Sequence, residues 1–112
     1  MPVDRPDLSV AVRRAPTETV VSLAGEIDMS TVPRLAAAVD EVLNEPPARV
    51  VLDMAGVTFC DSQGLGTLVV LSRKAALAQS YLVLINVGPF LIRVLDITGL
   101  RNALMIQEVQ PG

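Results

Sequence analysis

The stretch Cys60-Asp61-Ser62-Gln63-Gly64-Leu65-Gly66 holds the residues best placed to take part in chemistry. A thiol, a carboxylate and a hydroxyl follow one another there, between a β-like run and the longest helix-like run of the chain. Ser62 would lie where a helix begins, facing unpaired backbone N–H groups and the positive end of the helix dipole, an environment that favours a phosphate. A serine at that place is also an ordinary helix cap, and without further information both readings stand. Gly64 and Gly66 resemble a phosphate-binding glycine pair only faintly, because no Lys follows as in a P-loop.

Missing residue types narrow the chemistry. The 112 residues include no His and one Cys. His-dependent triads, imidazole bases and most zinc sites are therefore excluded, and Cys60 can form neither a ligand cluster nor an internal disulfide. A small hydrolase using Ser62 with Asp61 or Lys74 would lack both an imidazole base and a Gly-x-Ser-x-Gly elbow. Nine basic and twelve acidic residues give a net charge of -3 without a Lys/Arg cluster, so nucleic acid is not an expected partner. Three aromatic residues offer little for base stacking. No long uncharged apolar run and no signal-peptide layout is present, so a soluble cytoplasmic protein without membrane insertion is expected. The composition leans toward a binding module that needs no metal or cofactor.

The elements that must position this stretch can be read in order. With 51% hydrophobic residues the chain fits one compact domain, over residues 8–107, with a flexible start at 1–7 and a polar tail at 108–112. Residues 8–13 alternate apolar and polar, residues 19–24 are β-branched and apolar, and Gly25 ends them, so 8–24 read as a hairpin. Ser30 or Thr31 can cap a helix of about three turns, Pro33 suits its first turn, and Leu35, Ala38, Val39, Val42 and Leu43 recur at helical spacing. Pro46-Pro47 stops it.

Residues 48–54 suit a central strand buried on both faces, with 55–60 leading into the Ser62 stretch. The helix from Ser62 to about Gln79 would bury Leu65, Leu68, Val69, Ser72, Ala75 and Ala76. Val70, Leu71 and Leu77 then flank its outer side, where a later helix or a partner would cover them. Residues 81–86 read as another strand, and Pro89 opens a short helix in which Phe90, Leu91, Val94 and Leu95 share a face, ending at Gly99. Residues 103–106 are a last edge strand. The order β-β-α-β-α-β-α-β predicts an α/β fold, a mixed sheet of four to five strands with helices packed on it through right-handed crossovers. Ligands and partners of such sheets meet loops at the carboxyl ends of the strands, and Asp61-Ser62 lies on one.

Three blocks carry a resemblance: Leu23-Ala24-Gly25-Glu26-Ile27-Asp28 with Leu35 after it, Val51 through Gly66, and Leu95-Asp96-Ile97-Thr98-Gly99-Leu100. In this order and spacing the chain resembles the STAS domain, and within it the bacterial anti-sigma factor antagonists. The resemblance implies a binding protein rather than an enzyme. Its partners would be an anti-sigma factor that is an ATP-dependent serine kinase, and a phosphatase. Binding would free a sigma factor, and phosphorylation of the serine of the Asp-Ser-x-Gly-Leu pattern, here Ser62, would switch the protein off. Asp28 and Asp61 match acidic positions beside it, and with Gln63, Gly64, Leu65 and Thr67 they form the expected partner surface; by itself Asp28 reads equally as a cap. Gln63 departs from the Ser or Thr common at that position, which leaves Ser62 as the acceptor, and Cys60 reads as a small buried hydrophobe. A STAS subunit regulating a membrane transporter or a lipid-trafficking ABC system is the alternative implied by the same pattern.

Overall fold

A computed structural model describes residues 8–107; the segments 1–7 and 108–112, expected as a flexible start and a polar tail, lie outside the described residues. The described chain opens with a hairpin of β1 (Leu8–Arg14) and β2 (Glu18–Ile27), paired antiparallel from Leu8↔Gly25 to Arg14↔Thr19. Then α1 (Val32–Leu43), β3 (Arg49–Cys60), α2 (Ser62–Leu77), β4 (Tyr81–Ile85), α3 (Pro89–Thr98) and β5 (Met105–Gln107) follow, with one 3₁₀ turn over Leu100–Ala103 that the sequence reading did not foresee. The order is that expected from the sequence.

The five strands lie in the sheet in chain order, with β2 to β5 mutually parallel. Each parallel step crosses over through a helix. Crossovers of one hand, all stepping in the same direction along the sheet, must put their helices on the same face. Leu35, Val39 and Val42 of α1, Leu65, Leu68, Leu71 and Ala75 of α2, and Leu91 and Leu95 of α3 accordingly share one core with Val21, Leu23, Val50, Leu52, Leu82 and Leu84 from the strands. Val51 and Val83, pointing to the other side of the central strands, are also buried, which accounts for the continuous apolar runs there.

Two strands run further than the sequence suggested. Strand β2 continues past Gly25 to Ile27 and β3 continues past Met54 to Cys60, still paired at Ile27↔Cys60. Their glycines accommodate irregularities instead of ending the strands. The register shifts between Ser22 and Ala24 and between Gly25 and Glu26, where Gly25 has φ +117°. Opposite, a Cβ on Gly56 would stand 2.8 Å from that of Ala24, so the strands approach closely only because it has none. By contrast β3 and β4 part after Asp53↔Ile85. The outer half of β3 therefore overhangs its neighbour and carries the Ser62 loop beyond it.

A second difference concerns α2. Leu71, expected on the outer side, is buried, because α1 lies against α2: Ala36 lines the same groove as Leu71, and Lys74 Nζ meets Asp40 Oδ1 at 3.0 Å across the pair. The cover comes from the helix before α2, not the one after it. Val70 and Leu77 remain exposed. Gly99, as expected, ends α3 with φ +77°.

Candidate functional site

The Ser62 loop is held from three directions. Asp61 stands at the N-cap of α2 in extended conformation, and its Oδ1 accepts from the Gly64 N–H at 2.8 Å. Its carbonyl accepts from Leu65 N at 3.0 Å, and its own N–H donates to the Ile27 carbonyl at 3.1 Å. Every polar arm of Asp61 but one carboxylate oxygen is thus committed to the fold. Ser62 follows as the first residue of the helix and is exposed. The cap reading of Ser62 is therefore corrected: the residue before it takes that role, and the Ser62 hydroxyl is left facing solvent at the helix start.

Gly64 is what lets the helix begin so close to the sheet. A Cβ there would fall 2.7 Å from Ile27 Cγ2, 2.8 Å from Cys60 Sγ and 2.9 Å from the Ile27 carbonyl oxygen, and no side chain can occupy that space. Gly64 and Leu65, expected to contact a partner, are both buried, Leu65 at 5% exposure. Their contribution is to seat the helix. Gln63 is exposed, while Thr67 is half-buried and donates its hydroxyl back to the Gln63 carbonyl at 2.9 Å.

Asp28 lies at the end of the neighbouring strand and organises the turn into α1. Its Oδ1 accepts from Ser30 N at 2.9 Å, Ser30 Oγ at 2.7 Å and Thr31 N at 3.2 Å. The Ser30 hydroxyl, more than any other neighbour, holds the Asp28 carboxyl below its ordinary value. Thr31 occupies the N-cap position of α1 but makes no side-chain cap bond to the helix. Its buried hydroxyl instead donates to the Glu26 carbonyl and accepts from Asp28 N, both at 2.9 Å. Of the two readings of Asp28, cap and partner contact, the geometry bears out the first: its carboxylate holds this turn. Because Ile27 bonds Asp61, the two turns are joined through one residue.

Cys60 is half-buried below the loop, as expected of a small hydrophobe, and burial, with the charge of Asp61 second, pushes its thiol up to about 12. No group of three or more His, Cys, Asp or Glu side chains converges among the described residues. The sequence reading missed the apolar residues at this end of the sheet. Phe90, expected to share the inward face of α3, is 71% exposed, and Phe59 and Met29 are exposed at 47% and 68%. Phe90 and Phe59 are the only phenylalanines of the chain, and their places beside the loops at the ends of β3 and β4 were the available signal.

This arrangement is an exposed serine on a rigid, acid-flanked helix start. Ser62 and Gln63 are exposed on it, with Asp61 and Asp28 half-buried beside them. Known proteins resemble this chain over most of its length. An anti-sigma-B factor antagonist of Listeria monocytogenes is 30% identical over 105 residues, covering 93% of this chain and 92% of that protein. One from Bacillus subtilis is 31% identical, covering 95% and 96%. The crystal structure of an anti-sigma factor antagonist from Mycobacterium paratuberculosis superposes with a TM-score of 0.79 at 30% identity, covering 93% of this chain and 89% of that one. The family model described as "Mlab, STAS domain" matches residues 10–107, and the chain belongs to the STAS domain family.

Proposed function

We propose that this chain is an anti-sigma factor antagonist: it binds an anti-sigma factor and so releases a sigma factor, and it acts by binding rather than catalysis. The full-length likeness to proteins named as anti-sigma-B factor antagonists supports this reading. None of the described helices is long and apolar enough to cross a membrane; the proposed place of action is the cytoplasm.

Regulation is assigned to Ser62. The partner would be an anti-sigma factor that is also a serine kinase, transferring the terminal phosphoryl group of ATP to Ser62 Oγ, with ADP and the hydroxyl proton leaving. A phosphatase would hydrolyse the ester and restore the protein. The observation that carries this assignment is that Asp61, not Ser62, caps α2, so that the serine hydroxyl is exposed and not needed by the fold. A phosphate there adds about -1.5 to -2 charge units beside Asp61 and Asp28. At a helix start this alters stability by at most ~2 kcal/mol, whereas an unpaired charge desolvated in an interface costs several. Binding is lost before folding.

The test compares wild type with Ser62→Ala and Ser62→Asp by thermal melting and by titration with a purified anti-sigma kinase. Both variants should melt close to wild type, and only Ser62→Asp should lose affinity. A Ser62→Asp protein that is unfolded, or that binds as tightly as wild type, contradicts the assignment. Specific recovery of an ABC-type ATPase in place of an anti-sigma kinase would replace it with the transporter-subunit reading.

A further inference from the structure

Where β3 overhangs β4, the start of α3 comes alongside without pairing to it. Between them lies a groove of about 150 Å³, lined by Met54, Val57 and Phe59 on the strand side and by Pro89, Phe90 and Leu91 on the helix side. Its polar groups are few and already engaged: Thr58 Oγ1 donates to the Gly25 carbonyl at 3.2 Å. None of the described residues lining it is charged. A space of this size with apolar walls takes about one aromatic ring or one branched aliphatic side chain.

The position of the groove decides its occupant. Cys60, which lines it, is followed directly by Asp61 and Ser62, so the groove begins two residues from the serine that a partner would read, on the side away from the α1–α2 groove that Ser62 itself lines. The exposed phenyl rings of Phe59 and Phe90 both belong to its lining, and large exposed apolar side chains around a pocket mark an anchor site for a partner's side chain. Glu26 stands opposite Phe59 in the strand register, and Asp28 follows Ile27, which bonds Asp61; Lys74, which shares a groove with Ser62 on the α1 side, is already paired to Asp40. Complementarity asks for a basic group next to the anchor.

Resting on the function proposed above, we infer that this groove is the anchor pocket for the anti-sigma kinase, receiving one large apolar side chain of that partner which is flanked by a Lys or Arg. Ser62 supplies the switch and the groove supplies affinity. The two are separable because the groove residues lie outside the helix start that a phosphate would alter.

Calorimetric titration of the full chain with each purified ATP-binding anti-sigma factor encoded in the source genome tests this. The proteins compared are wild type, Ser62→Asp, Phe90→Ala, Phe59→Ala and, as a control on the exposed side of α3, Ile97→Ala; Ile97 is 77% exposed and does not line the groove. Expected is a loss of about tenfold or more in affinity for Phe90→Ala and Phe59→Ala, an unchanged affinity for Ile97→Ala, and unchanged melting throughout. If wild type binds, Ser62→Asp does not, and both phenylalanine variants stay within about twofold of wild type, the anchor pocket is overturned while the proposed function stands. If wild type binds none of these proteins, both fall. A dimer in sedimentation that Phe90→Asp dissolves would assign the groove to a second copy of the chain and overturn the proposal.

Discussion

The backbone N–H of Asp61 donates to the carbonyl of Ile27 over 3.1 Å, and this bond joins the turn that presents Ser62 to the turn built on Asp28. Ile27 itself is fully buried and faces the Gly64 gap. Two loops that carry the acidic residues of the site are therefore one packed unit, and its parts can be tested separately.

Glycines two residues apart in α2 should behave oppositely. Gly64→Ala puts a Cβ against Ile27 and Cys60 at under 3 Å, and is expected to cost ~1–3 kcal/mol. Gly66 has nothing within 4 Å of its would-be Cβ, and Gly66→Ala should gain ~0.5–1 kcal/mol from helix propensity. Urea unfolding of the two variants decides it; equal effects would mean that the close approach at Gly64 is not required.

Asp61→Ala removes the acceptor of the Gly64 N–H and should lower stability by ~1 kcal/mol, within a range of about 0.5–2 kcal/mol. Asp61→Asn keeps an oxygen at the same place and should recover most of it. Were alanine and asparagine equally destabilising, the cap bond would not be the cause.

The Asp28 turn should weaken in acid. Its folded carboxyl titrates below the ordinary 3.8 because the charged form accepts the Ser30 and Thr31 bonds. The unfolded chain then binds its proton first as pH falls, so the contribution is whole above 3.8 and is lost as pH drops through the lower folded value. Urea midpoints of wild type and Asp28→Asn, compared from pH 6 downward, should converge in that acid range. A constant difference would count against the mechanism.

Cys60 should be inert at neutral pH. With the thiol pushed up to about 12 by burial and the charge of Asp61, very little of it is thiolate at pH 7. Alkylation by iodoacetamide should be slow in the native protein and rise to the rate of an ordinary thiol in denaturing urea. Rapid native alkylation would show a far more open or more acidic thiol than this geometry allows.

Local chemistry made much of the molecule legible. Alternation gave the hairpin, the proline and glycine signals placed α1 and α3 close to their bounds, and the Asp-Ser-x-Gly-Leu pattern located the loop. What escaped depended on neighbours distant in sequence. Gly25 reads as a stop, yet β2 carries on through a bulge, held by β3 at Glu26↔Phe59 and Ile27↔Cys60. Leu71 sits on the outer side of a helical wheel, yet α1 covers it. Phe90 shares the apolar arc of α3, yet the sheet edge leaves its ring outside.

The sequence by itself determined the order of elements, their parallel and antiparallel pairing, and the presence of a serine at a helix start in a chain that has no His. These follow from backbone preferences and residue inventory, which act over a few positions. Only the tertiary structure decided that Asp61 rather than Ser62 caps the helix, that Gly64 and Leu65 are buried supports, and that two phenylalanines stand beside an open groove. Those outcomes depend on which surfaces meet, because hydrogen-bond geometry and close packing are settled between Ile27, Cys60 and Gly64 in space.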